Sequence, residues 1–262
     1  FGIGPFPKMG ISGAAIGLIS GYIFASCLLS FYLIARCQEL KLRFFETKIK
    51  LLSTLVIFKI GIISSLNPVC SVASVVAMTS FMTNFGVEVL AGFGIGARLE
   101  FLMIPMIFGF GTASTALVGV NFGANQIERA YRIGWIASLF AAFVVGSIGV
   151  IFAILPEIWV SLFTDVIKVE FAARSYLTIV GPFYFLYGLA LCLYFASQGA
   201  GRVLWPVLGV CFRFFIILFG GLLLFEYNLN ELKYFFFLIV IGFVVQALTS
   251  ALSVYLGAWT KR

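Results

Sequence analysis

Few side chains in this sequence are equipped for chemistry, and they stand out because nearly everything around them is apolar. Glu100 lies in the run Leu99-Glu-Phe-Leu102, with Arg98 two residues before it, and Arg213 lies near the middle of a second apolar run, 204–225. A charge at the centre of a bilayer costs on the order of 3 kcal/mol on insertion scales, so each of these must face protein or water. Two chemistries fit Glu100: a proton or cation site, or a structural ion pair with an arginine on another helix. Arg98 is a poor partner, because residues two apart on one helix point about 200° away from each other.

Asn67-Pro68 is the second spot where a span has something to offer. A proline inside a helix leaves the carbonyl four residues back without its hydrogen bond. In a membrane that carbonyl needs a side chain, water or an ion. Ser64, Ser65 and Ser71 surround the pair, so the stretch either lines a polar cavity or is a kink satisfied by its own hydroxyls. Tyr184 and Tyr187, which follow Pro182, and Gln246 are further candidates for the same cavity or for partners of the embedded charges.

Other chemistries are excluded. The chain has no His, which removes Ser-His-Asp and Cys-His catalysis and His-ligated metals together. Its five Cys form no CxxC pair, and four of them sit inside apolar runs as small core residues. Gly92-Phe-Gly-Ile-Gly96 has the look of a nucleotide-binding loop, but no βαβ unit surrounds it. No metal site and no cofactor are expected.

The elements that must hold these residues follow from composition. Hydrophobic residues make up 62% of 262 and charged residues 10%, with a mean hydropathy of +1.14. Soluble domains run near half and a quarter, so the chain is expected to be an all-α integral membrane protein partnered by the lipid bilayer. Seven spans are predicted, near 11–35, 60–82, 88–118, 133–154, 171–197, 204–225 and 234–257. The segment Lys41–Phe58 mixes basic and apolar residues as a helix lying on the membrane surface would. Gly13, Gly17 and Gly21 give the first span a small-residue face suited to close helix approach. Pro68, Pro105 and Pro182 interrupt later spans.

Basic residues set the orientation. Eleven fall on one side (Arg36, Lys41, Arg43, Lys48, Lys50, Lys59, Arg129, Arg132, Arg202, Lys261, Arg262) and four on the other (Lys8, Lys168, Arg174, Lys233). The first side is therefore expected to be cytoplasmic. The net charge of +7 is mainly a topology signal; a nucleic-acid partner would need a solvated basic domain, which the pattern lacks. The opening Phe1–Gly10 reads as a loop already in progress, so the chain is expected to be a piece of a longer protein.

The order of motifs is more specific than any one of them. Leu90-Ala-Gly-Phe-Gly-Ile-Gly-Ala-Arg-Leu-Glu-Phe-Leu-Met-Ile-Pro105 leads into Gly109-Phe-Gly-Thr-Ala-Ser-Thr-Ala and then Val118-Gly-Val-Asn-Phe-Gly-Ala-Asn125, Arg129 and Ala130. Later come Pro182 with its following tyrosines, Ser197-Gln-Gly-Ala-Gly-Arg202 and Pro206; Pro5–Ala15 precedes them all. Over nearly its whole length the chain resembles the multidrug and toxic compound extrusion family. That resemblance implies half of a twelve-helix, two-lobe transporter: the last helix of the N-terminal lobe in 1–35, a cytoplasmic basic linker with an interfacial helix in 36–59, and the C-terminal six-helix lobe in 60–257. It makes Gly119, Asn121, Gly123, Ala124, Gln198, Gly199, Gly201 and Arg202 the family's turn residues.

The resemblance also implies a function: export of small organic, often cationic, compounds by alternating access in exchange for sodium ions or protons. The setting would be the plasma membrane (the bacterial inner membrane), and the partner would be the missing N-terminal lobe. The chain departs from the family in two respects: the VGQ-like position reads Val118-Gly-Val120, with Asn121 as the nearest amide, and the usual coupling carboxylates are missing. Stretches 60–82 and 171–197, where many members carry coupling carboxylates, contain no Asp or Glu. Coupling then falls to Glu100 or to the missing lobe. The alternative within the same superfamily is a lipid-linked oligosaccharide flippase, which would favour an Arg- and Lys-rich cavity for pyrophosphate. A membrane-embedded enzyme is disfavoured by the missing His and the absence of paired carboxylates, and a purely structural membrane protein is the remaining class.

Overall fold

The computed structural model describes residues 10–36, 51–229, 231–257 and 259. Among them the chain is helical, with no strand. A lipid-exposed backbone must bond to itself, and a helix does so within one segment. The helices are α1 (Gly10–Arg36), α2 (Leu51–Thr83), α3 (Val87–Gly123), α4 (Ile127–Ile154), α5 (Pro156–Val160), α6 (Ile167–Val180), α7 (Tyr184–Gly199), α8 (Leu204–Glu226) and α9 (Leu232–Tyr255). Seven membrane-length spans result, because α6 and α7 run on as one, Ile167–Gly199, through a 3-10 turn centred on Pro182.

The spans match the sequence reading to within a few residues at most ends. The main correction is at α2. α2 starts at Leu51, nine residues before the expected start of the span at 60, so 51–58 lead straight into it, while 37–50 lie outside the described residues. The physical reason is that Leu51, Leu52, Leu55, Ile57 and Phe58 run without a breaker into the span proper. Pro105 is likewise absorbed inside α3.

Two compact units divide the chain, 1–54 and 55–262. In the first, α1 is exposed, and no atom lies within 4 Å of where a Cβ would stand on Gly17 or Gly21.

The second unit is built around α3, α4 and α7, with α6 and α9 packed against them and α8 lying along α9. Small residues bring these helices close. On α4, Gly146 meets Phe185 and Gly149 meets Gly181; on α7, Gly188 meets the backbone of Ala141 and Ala142. On α3, Gly96 makes room for the Tyr176 ring and Gly111 for Phe195. With lipid as apolar as leucine, such close contact is what holds spans together. α2 packs differently, through long side chains: the Phe81 ring lies 5.8 Å from both Phe225 and Phe235. The outward face carries exposed Leu117, Phe143 and Phe219, as a lipid surface does.

One end of this unit is tied by Trp259, which stacks on Tyr131 at 4.8 Å and donates to Ser197 Oγ at 3.3 Å. Arg129 and Arg132, in the first turns of α4, and Arg202, between α7 and α8, are at this end, and the turns there use left-handed residues, Asn125 (φ 61) and Gly201 (φ 69). At the other end Arg174 pairs with Glu157 at 2.9 Å and with Glu170, and α5 is anchored by Trp159 Nε1, which donates to the Ile95 carbonyl at 3.0 Å.

Candidate functional site

Five helices each send one polar side chain to a common point. Arg213 of α8 lies with Nη2 3.4 Å from Glu100 Oε1 of α3, and its Nη1 donates to Gln246 Oε1 of α9 at 3.4 Å. The other carboxylate oxygen, Glu100 Oε2, accepts from Tyr176 of α6 at 3.3 Å. Tyr184 of α7 donates in turn to the Tyr176 hydroxyl at 3.4 Å. All five residues are buried. The guanidinium also lies over two aromatic faces, 4.6 Å from the Phe243 centroid and 5.2 Å from that of Tyr187. A buried charge pair persists only when geometry and further hydrogen bonds offset its lost hydration, and both charges here have additional partners. Glu100 thus faces an arginine on another helix, as the ion-pair reading of it expects.

Beside this cluster lies a cavity of about 560 Å³ between α2, α3, α7 and α8, within the range of small-molecule sites. α2 contributes Ser64, Ser65, Asn67, Pro68 and Ser71; α3 contributes Glu100, Phe101 and Phe108; α7 contributes Tyr187, Tyr194, Phe195 and Gln198; and α8 contributes Arg213. Pro68 frees the carbonyl of Ser64, and that carbonyl accepts from Tyr194 at 3.2 Å. Gln198 Nε2 holds the same hydroxyl at 2.8 Å. The freed carbonyl is thus satisfied from another helix rather than by the serines of α2. Ser65 bonds locally to Ile62, while Ser64 Oγ and Asn67 Nδ2 are buried without a partner.

The candidates from sequence therefore separate. Glu100, Arg213, Gln246, Tyr184 and Tyr187 meet in or around the charge cluster, and Ser64, Asn67 and Gln198 line only the cavity, which Glu100, Tyr187 and Arg213 also border. Arg98 does not join them: it is exposed on another face of α3, over the Phe163 ring at 5.2 Å. Gly119, Asn121 and Gly123 are still helical, in the last turns of α3, and the turn itself begins at Ala124. Gly119 and Gly199 touch, the Gly199 carbonyl oxygen lying 3.4 Å from a Cβ placed on Gly119. Asn121 bonds within its helix to the Leu117 carbonyl at 2.8 Å, and Arg202 is exposed. Two participants escaped the sequence reading. Tyr176 had one signal, a glycine at position 96 one turn before Glu100; Tyr194 had another, its i,i+4 spacing to Gln198.

Comparison with known proteins follows the same outline. The MatE family profile matches residues 64–222. The chain is 29% identical over 211 residues to "Probable multidrug resistance protein NorM" of Thermotoga maritima, covering 79% of this chain and 45% of that protein. It is 24% identical to "Probable multidrug resistance protein YoeA" of Bacillus subtilis, covering 77% and 44%. It is 28% identical over 134 residues to the "FAD transporter" of Shewanella oneidensis, covering 50% and 29%. Among solved structures, the bent form of the Vibrio cholerae MATE transporter VcmN superposes with a TM-score of 0.70 at 19% identity, over 80% of this chain and 48% of that one. A MOP superfamily transporter from Pyrococcus furiosus gives 0.68 at 14%, over 76% and 44%. The chain spans somewhat under half the length of the first two curated relatives.

Proposed function

The chain belongs to the MatE family, and we propose that it supplies the sixth helix and the C-terminal lobe, residues 60–257, of an antiporter that exports organic compounds in exchange for protons or sodium ions. Members of this family are multi-pass membrane transporters, not enzymes. In the proposed arrangement 36–59 is a cytoplasmic linker, the membrane is the bacterial inner membrane, and the remaining partner is the N-terminal lobe. Transporters built from repeats place their sites near the midplane between halves.

The observation that carries the reading is the cavity of about 560 Å³, walled by aromatics and bordered by the Glu100–Arg213 pair. Relatives named for multidrug resistance and for FAD transport support an organic cargo. A flippase is less well supported, since Arg213 is the one basic residue among the described residues that line the cavity, and it already faces Glu100. Glu100, the acid that borders the cavity, is the proposed coupling residue of this chain. The test is the full-length transporter in liposomes, with ethidium movement followed under an imposed pH or sodium gradient. Gradient-driven accumulation is expected; movement indifferent to both gradients contradicts the reading.

A further inference from the structure

Two of the cysteines meet across a helix interface. Cys70 of α2 and Cys211 of α8 lie with their sulfurs 3.6 Å apart, and both are partly exposed. They are 141 positions apart in the chain, so helix packing and not local sequence brings them together. Neither thiol belongs to the charge cluster, yet each stands near a residue that lines the cavity: Cys70 precedes Ser71, and Cys211 lies two before Arg213.

The pair falls where a bond would restrain the cavity wall. α2 and α8 already touch near one end, where the Phe81 ring packs against Gly221. Cys70 is eleven residues before Phe81 and Cys211 ten before Gly221, roughly 15 Å back along each helix. The helices thus run side by side, with one contact near that end and the other two residues past Pro68. A covalent bond at the second point would fasten the stretch of α2 from Cys70 to Phe81 against α8 at both ends. The sulfurs of a disulfide stand about 2.0 Å apart, so the two cysteines are thiols here. Closing the remaining distance of about 1.5 Å takes a helix shift of the size that conformational switches use.

We propose that Cys70 and Cys211 form a reversible disulfide, with a bilayer-soluble organic hydroperoxide as the oxidant, and that this bond pins α2 to α8 and stops transport. The peroxide O–O bond breaks as one oxygen passes to the first sulfur, giving a sulfenic acid and an alcohol. The second sulfur then attacks the first; the S–S bond forms, and the hydroxyl leaves with the second thiol's proton as water. Two electrons pass from the thiols to the peroxide, and a dithiol reductant returns them. The bond follows from the geometry alone, while its effect on transport rests on the proposed function.

The test uses the full-length transporter in liposomes, with every cysteine except Cys70 and Cys211 replaced by Ser. Cumene hydroperoxide is the oxidant, and gradient-driven ethidium movement is the activity. Oxidation is expected to remove two hydrogen atoms from the intact mass and to slow ethidium movement at least about fivefold, and dithiothreitol should reverse both. Adding Cys70→Ser or Cys211→Ser should leave a protein whose rate the peroxide does not change. A treated protein that keeps both hydrogens, gains oxygen or cross-links between molecules overturns the proposal. So does a bridged protein that transports at the rate of the reduced one. A reduced protein that moves no ethidium contradicts the proposed function, and the mass still decides the bond.

Discussion

Glu100 and Arg213 are each the condition for the other's burial. Removing one leaves the other charge in the membrane core without its partner, which typically costs about 3–5 kcal/mol, whereas replacing both with apolar residues is often neutral. Glu100→Leu should therefore lower the melting temperature of the detergent-solubilised full-length protein sharply, and adding Arg213→Met should recover most of the loss. Equal losses in the single and double variants would show that the pair is not the unit. At this scale the sequence was legible where charge contrasts with its surroundings: Glu100 and Arg213 are conspicuous in apolar runs. Arg98 was just as conspicuous, yet it lies over Phe163 on another face, because the rotation of α3 about its axis is set by packing against α6 and α7. Tyr176 was illegible for the opposite reason. A buried tyrosine reads the same whether its hydroxyl closes a network or only fills space.

Among the elements, α2 depends most on its neighbours. Its kink at Pro68 is stable because Tyr194 reaches the freed Ser64 carbonyl. Tyr194→Phe should cost about 1 kcal/mol, and less in a Pro68→Ala background, where the backbone N–H of residue 68 is restored to that carbonyl. A strictly additive double-mutant cycle would contradict the contact. A close helix approach makes a second case. A Cβ on Gly199 would stand 3.1 Å from the Gly119 nitrogen and crowd the Thr115 carbonyl, both of them backbone that cannot swing aside. Gly199→Ala should destabilise by about 1–3 kcal/mol. Gly94→Ala, where nothing lies within 4 Å, should be neutral or gain about 0.5–1 kcal/mol from helix propensity. Thermal unfolding of the two variants side by side reads the contrast. Span positions were legible because length and hydropathy fix them. The start of α2 was not, since basic residues upstream masked an apolar run that continues the helix.

For the whole molecule, the charge asymmetry predicts which loops meet the cytoplasm. In a cysteine-free full-length transporter, Asp165→Cys should react with a membrane-impermeant thiol reagent added outside cells, and Asn125→Cys only after permeabilisation. The reverse pattern would invert the topology. The order of motifs made membership of the MatE family legible. The cavity was only partly legible: the polar stripe on α2 could be read from Asn67-Pro68 and its serines, but the aromatic lining depends on how α3 and α7 pack.

The claim that the cavity is the transport route is tested most directly at Ser71, a cavity-lining position away from the charge pair. In the cysteine-free full-length protein, Ser71→Cys is treated with a bulky water-soluble thiol reagent, and gradient-driven export is followed with and without excess substrate. The account predicts that modification stops export and that bound substrate slows the modification. Export that continues at the unmodified rate after complete labelling of Ser71→Cys would contradict it.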